Sequence, residues 1–189
     1  MKMSVRLSLC LLLLQAVLPW ALGADIFGFP GKGGYCKGPA YMCKDIGPQK
    51  CCDFTNLQVQ YIRWKGIGTT NLGIAYTGGK CSKKLTFGCG QNDRCLKTEG
   101  TSGGSWKKGC GDRHHLEAQD DAQCESTVTP NAVSYTDTSS RRTFVLNTAD
   151  VVDAFMKLES LETDLARVEF LLGHGVHVSV MEDEMHMAE

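Results

Sequence analysis

The stretch "DRHHLE", residues 112–117, sets Arg113, His114, His115 and Glu117 close together. Imidazole and carboxylate are the groups that exchange protons near neutral pH. His114 or His115 with Glu117 could therefore run acid–base cleavage of RNA, which makes a ribonuclease-like hydrolase one reading of the chain. The plainer reading is a polar loop between Cys110 and Cys124, because histidine and glutamate often fall near each other by chance.

Sulfur is the second source of chemistry, and the N-terminus decides how it should be read. Lys2 and Arg6 precede an apolar run from Leu7 to Leu18, and Ala21-Leu22-Gly23 has the small-x-small form of a signal-peptidase site, so cleavage is expected after Gly23. The run is shorter than the ~20 apolar residues of a membrane span, and no later stretch approaches that length. The expectation is a secreted, extracellular chain with no membrane span once residues 1–23 are removed. Cys10 leaves with the leader, and nine cysteines remain: Cys36, Cys43, Cys51, Cys52, Cys81, Cys89, Cys95, Cys110 and Cys124.

In an oxidising compartment these read as four disulfides and one cysteine over. Eight cysteines allow 105 connectivities, so spacing leaves the pairing open. The ninth is either a buried free thiol or the link of a disulfide-bonded dimer. Structural zinc sites favour cysteines two to four residues apart, and the gaps after Cys36, Cys43, Cys81 and Cys89 are wider than that. No metal and no cofactor is expected. Cys51 and Cys52 are adjacent, and a bridge across one peptide bond is far from ordinary disulfide geometry. Side chains alternate faces in an extended segment, so each of the two should reach a separate partner.

The tail collects His174, His177, Met181, Met185, His186 and Met187. Imidazole with thioether suits copper, but a frayed acidic end accounts for the same residues. "GFPGKGG" lacks the Lys-Ser/Thr ending of a phosphate loop, and no Asn-x-Ser/Thr sequon is present.

The elements that must hold these residues divide at Arg141-Arg142. From Ala24 to Ser140 there are 14 Lys and Arg against 11 Asp and Glu, whereas from Thr143 to Glu189 there are 2 against 10. Scattered basic residues and a net negative mature chain argue against nucleic acid as a partner. The N-terminal part reads as β. "NLQVQYIRW" puts Leu57, Val59 and Tyr61 on one face with Ile62 and Trp64 on the other, and "NLGIAY" repeats the alternation with Leu72, Ile74 and Tyr76. "GTSGGSWKKG", residues 100–109, reads as a mobile loop, and "SYTDTSS" as a linker or exposed loop.

Beyond the dibasic pair, Val151, Ala154, Leu158, Leu161, Leu165, Val168 and Leu172 recur at spacings of three and four, which predicts one helix. Asn147 or Thr148 would cap it, Gly173 would end it, and "TFVL" and "VHVSVM" flank it as short strands. The expected fold is mainly β, a small disulfide-stapled domain over 24–140, followed by a C-terminal helix flanked by short strands in the acidic segment 141–189, α+β overall. Dibasic pairs are cut in the secretory pathway, so 143–189 is either a pro-segment released at Arg141-Arg142 or part of a permanent core. The apolar stripe with strands on both sides favours the core.

The order Cys36, Cys43, "DIGPQKCC", "VQYIRW", "GIAYTGGKCS", over about residues 36–82, resembles small secreted cysteine-rich, effector-like proteins of filamentous fungi. In these a turn before a Cys-Cys pair is followed by apolar strands. This chain departs from them in Gly47 before Pro48 and in its odd cysteine. The resemblance implies a virulence-associated effector-like or toxin-like class, with no particular activity attached. The function expected is thus non-enzymatic surface recognition of an extracellular protein or a surface glycan. The alternatives are the hydrolase above and a cell-wall or matrix component.

Overall fold

The computed structural model describes residues 23–31, 35–89, 93–110, 124–137 and 139–180. Its strands are β1 (Ala24–Phe29), β2 (Gly38–Ile46), β3 (Lys50–Asp53), β4 (Val59–Lys65), β5 (Leu72–Thr77), β6 (Lys83–Cys89), β7 (Asp93–Thr101), β8 (Gly103–Lys107), β9 (Ser126–Val128), β10 (Ala132–Asp137), β11 (Arg142–Asn147) and β12 (His177–Val180). A 3-10 turn covers Gly79–Cys81, and two helices, α1 (Val151–Ser160) and α2 (Asp164–Leu172), lie between β11 and β12. The protein is mainly β with a C-terminal helical region, α+β overall.

Seven strands form one sheet in the order β12-β11-β10-β2-β1-β4-β7, and five form a second in the order β6-β5-β8-β3-β9. Alternation along the strands decides what each face buries. Ile26, Tyr41, Cys43, Ile62, Trp64, Val133, Tyr135, Phe144 and Leu146 belong to one core cluster on the inner face of the large sheet. The small sheet packs on that face at the β1–β4 end, where the Trp64 indole N–H donates to the Ser105 carbonyl at 2.8 Å. Helix α1 covers the same face farther along, with Phe155 stacked on Tyr41 at 4.1 Å between ring centroids. Phe27, Phe29, Ala40, Met42, Ala132 and Val145 make a separate cluster on the opposite face.

Ser102 carries the chain from β7 in the large sheet to β8 in the small one, so residues 100–109, expected as a mobile loop, are mostly paired strand with Thr101–Trp106 buried. Their glycines answer to packing. A Cβ on Gly104 would run into Ile62 and lie 3.2 Å from Ile26 Cγ2. The β4 strand is found where the alternation predicts it, but a bulge between Val59 and Tyr61 resets the register. There two steps along β4 face four along β7, and Val59 joins the inter-sheet core while Tyr61 packs with the opposite cluster.

The "SYTDTSS" stretch is likewise strand, then a tight turn, in the β10–β11 hairpin. Asp137 organises that turn. Its carboxylate accepts hydrogen bonds from the side chains of Ser140 and Ser139 and from both of their backbone N–H groups. These bonds, that of the Ser140 hydroxyl first, hold its pKa down at about 2. A carboxylate whose folded-state pKa lies below its unfolded value of ~3.9 adds stability above that value and loses it as pH falls toward the folded one. Denaturation midpoints measured at pH 4, 3 and 2 should therefore fall in the wild type, and Asp137→Asn should lower the pH 4 value and flatten the decline.

The periodicity predicts one helix over 151–172, and the chain forms two. Leu161 adopts extended backbone, and the Thr163 hydroxyl accepts from Ala166 N–H at 3.1 Å, which starts α2 afresh. The break sends Leu158 and Leu171 into the core and leaves Leu165 exposed. Arg167 fastens the corner: its Nε donates to the Leu158 carbonyl at 3.2 Å and its guanidinium lies 5.5 Å from the Tyr135 ring centroid. Gly173 ends α2 as expected, whereas α1 is capped by Asp150, whose N–H donates to the Thr148 hydroxyl at 3.1 Å. Strand β12 pairs antiparallel with β11, so the helices connect neighbouring antiparallel strands.

Candidate functional site

Four disulfides are present among the described residues: Cys36–Cys95, Cys43–Cys52, Cys51–Cys81 and Cys89–Cys110. The adjacent cysteines go to different partners because β3 turns them to opposite faces. Cys52 points into the inter-sheet core, and Cys51 into a cluster with Leu72, Ile74, Tyr76 and Cys81 on the far side of the small sheet. Cys36–Cys95 has the widest sequence separation, 59 residues, and closing a loop of that length restricts the unfolded chain by about 4 kcal/mol.

Cys124 is the free cysteine among the described residues. Its sulfur and those of Cys51 and Cys81 all lie within 4.8 Å of one another. Three thiolates so placed could bind a soft metal, but two of these sulfurs are bonded to each other. Burial pushes the Cys124 thiol up from its ordinary pKa, against hydrogen bonds from Tyr76 and Ser105 that favour its thiolate. Burial also raises the Tyr76 hydroxyl, which lies 3.0 Å from the Ser105 hydroxyl.

His114, His115 and Glu117, with Arg113, lie outside the described residues, as do Met181, Met185, His186 and Met187. The His174 ring meets the Phe170 carbonyl at 2.7 Å through Nδ1 and packs on the Phe170 ring. Gly23 donates its N–H to the Asp45 carboxylate at 3.1 Å. Arg141 and Arg142 are exposed where the β10–β11 turn enters β11, with Arg142 in register with Asp137 on one side and Val180 on the other. A hydrolase nucleophile of the Gly-x-Ser-x-Gly type is not expected from the sequence, yet Gly100-Thr101-Ser102-Gly103-Gly104 has that spacing. That motif presents its serine between a strand and a helix. Here Ser102 joins two strands, and its hydroxyl donates to the Gly78 carbonyl.

Among the described residues, a groove of about 460 Å³ that combines polar and apolar chemistry is lined by Asp53, 55–57, 129–130 and 149–153. One wall follows β3. Phe54, 1% exposed, anchors the 54–58 loop in the core, and the Asp53 carboxylate accepts from Thr55 N–H at 3.0 Å and from the Thr55 hydroxyl. Asn131 sets the other walls: its side-chain oxygen accepts from Lys44 N–H at 2.9 Å, and its carbonyl accepts from Thr148 N–H at 3.2 Å. These bonds fix Thr129 and Pro130 beside the segment that enters α1.

The first turn of α1 then brings Asp150 and Asp153 to the rim, with Val151 and Leu57 among the apolar lining. Both carboxylates stand at the positive end of the helix dipole, where negative charge is favoured. With Asp53, the groove lining carries three acidic residues beside the apolar Leu57 and Val151. Its dimensions fall within the usual range of ligand sites, ~300–1,000 Å³. It is assembled from three chain segments with wide sequence separations, which is why no local motif announces it.

A protein-family model described as an N-terminal domain matches residues 25–131. No curated protein and no solved structure matches the chain. The match ends one residue before β10, the strand that joins β2 to the C-terminal part of the large sheet.

Proposed function

Starting from a chain that belongs to the ARB_05566_N family through the N-terminal domain at residues 25–131, we propose a secreted cysteine-rich protein that acts by surface recognition, without catalysis, in the effector-like manner of small secreted fungal proteins. Four disulfides and a leader-like start support the extracellular setting. No helix among the described residues is long and apolar enough to cross a membrane. The observation that carries the reading is the acidic groove between the matched domain and α1. Its rim carboxylates attract cations and its Leu57–Val151 floor takes aliphatic carbon. The fitting partner is a segment of an extracellular protein that bears lysine or arginine on short apolar stretches.

In this reading residues 141–189 stay with the protein after secretion, since one wall of the groove belongs to α1. The test is titration of the purified protein with a fluorescent lysine–valine decapeptide. The Asp150→Lys, Asp153→Lys double variant should bind at least tenfold more weakly, and wild-type binding should weaken as ionic strength rises. Equal binding by both proteins would remove the groove from the account. Retention on chitin or glucan particles without peptide binding would shift the target to a glycan and the role toward a wall component. RNA cleavage lost in His114→Ala or His115→Ala would establish the hydrolase instead.

A further inference from the structure

The odd thiol sits against a disulfide and faces inward. Cys124 is half-buried, accepts hydrogen bonds from Tyr76 on β5 and Ser105 on β8, and has both sulfurs of Cys51–Cys81 within 4.8 Å. A cysteine meant to link two chains would present its sulfur to solvent. This one presents it to a bond that a thiolate can attack.

The scaffold around the bridge differs on its two ends. Cys51 is fully buried and held in β3 between β8 and β9. Cys81 ends the 3-10 turn after β5, where Lys80 and Cys81 both adopt left-handed backbone, at φ 57° and 55°. Non-glycine residues occupy that region at a cost and stay there when their surroundings fix them. The flanking Gly78, Gly79 and Lys80 are exposed, so the turn has room to move once the bridge no longer holds it.

We propose that Cys124 and the Cys51–Cys81 disulfide form an internal thiol–disulfide exchange unit. The Cys124 thiolate attacks Cys51 Sγ, the Cys51–Cys81 bond breaks as the Cys51–Cys124 bond forms, and Cys81 leaves as a thiolate that takes up the proton Cys124 gave up. One disulfide and one thiol stand on each side, so no oxidant or reductant is consumed. The forward step frees the 79–81 turn, and the reverse step clamps it.

The turn also touches the groove. Lys80 N–H donates to the Thr55 hydroxyl at 3.3 Å, and that hydroxyl is bonded to the Asp53 carboxylate. Exchange would therefore loosen one acidic wall, a consequence that rests on the recognition reading while the exchange itself does not.

The experiment is native labelling without reductant. The folded protein is incubated at pH 8.5 for increasing times, treated with N-ethylmaleimide, digested and mapped by mass spectrometry. The expected result is label on both Cys124 and Cys81, with a Cys51–Cys124 cross-linked peptide rising with time as Cys51–Cys81 falls. Label confined to Cys124 at every time overturns the proposal. A second arm oxidises Cys81→Ser with oxidised glutathione: formation of Cys51–Cys124 supports the exchange, and two free or glutathionylated thiols contradict it. Both arms read the bridges directly, so they stand or fall separately from peptide binding to the groove.

Discussion

Replacing Trp64 by alanine is expected to lower the stability of the fold by about 3–5 kcal/mol, the range for emptying a large aromatic site in a packed core. Trp64 is fully buried between the sheets, and its ring lies so close to β5 that a Cβ on Gly73 would come within 2.7 Å of it. The site is closed by strands on both sides, so collapse into the cavity is limited. The indole N–H bond to the Ser105 carbonyl, 2.8 Å long, is lost as well. Trp64→Phe separates the two losses: it keeps most of the ring and should cost about 1–2 kcal/mol, the scale of one unmet buried polar group plus a small void. Urea midpoints by tryptophan-independent circular dichroism decide it. Equal and small losses for both variants would show that Trp64 is not at the centre of the inter-sheet core.

Gly103→Val is expected to be as damaging by the opposite route. A Cβ at this position would collide with Cys81 Sγ, lie 2.7 Å from the Cys52 carbonyl oxygen and 3.2 Å from Cys51 Sγ. Backbone and a cross-linked bridge cannot swing aside as a surface side chain does. Overpacking and displacement of the Cys51–Cys81 bridge together should cost roughly 3 kcal/mol or more. Gly100→Val is the control. Gly100 is exposed at φ 76° with nothing near a Cβ, so its change carries only the left-handed backbone penalty of about 1–2 kcal/mol. Secretion yield and a disulfide map measure both, and an intact Cys51–Cys81 bridge at normal yield in Gly103→Val would refute the packing argument.

These two residues also mark what the sequence could and could not convey. Trp64 was legible because period-2 alternation is a local property of β4, and the same alternation separated the partners of Cys51 and Cys52. Gly103 and Gly104 read as loop residues in the sequence and lie in β8. Glycine signals a turn and a close approach in the same letter, and only the second sheet's position reveals that Ile62 and a disulfide lie over them. The helix was placed correctly as a helical region but read as continuous, because an apolar stripe reports the core face and says little about a break that Thr163 makes by capping α2.

The choice of Cys124 as the unpaired cysteine was hidden for the same reason as the pairing: both depend on strand order, which joins Lys50 to Ser126 and Cys52 to Gly104 across the small sheet. The groove was illegible altogether, since Asp53, Pro130 and Asp150 are far apart in the chain and line one groove only in the folded protein.

The recognition account depends on α1 remaining beside the N-terminal domain, and the exposed Arg141-Arg142 pair at the β10–β11 turn is where that could fail. Arg142 already pairs within the sheet on both sides, with Asp137 and Val180, and a protease needs its substrate extended and unpaired. Cutting there would also free a segment that buries Phe144, Leu146, Phe155, Leu158 and Leu171 in the common core. Intact-mass measurement of the natively secreted protein tests this most directly. The account predicts a single species that starts at Ala24 and retains the segment beyond Arg142, and a species ending at Arg142, or trimmed just before it, would contradict it by removing the 149–153 wall of the groove.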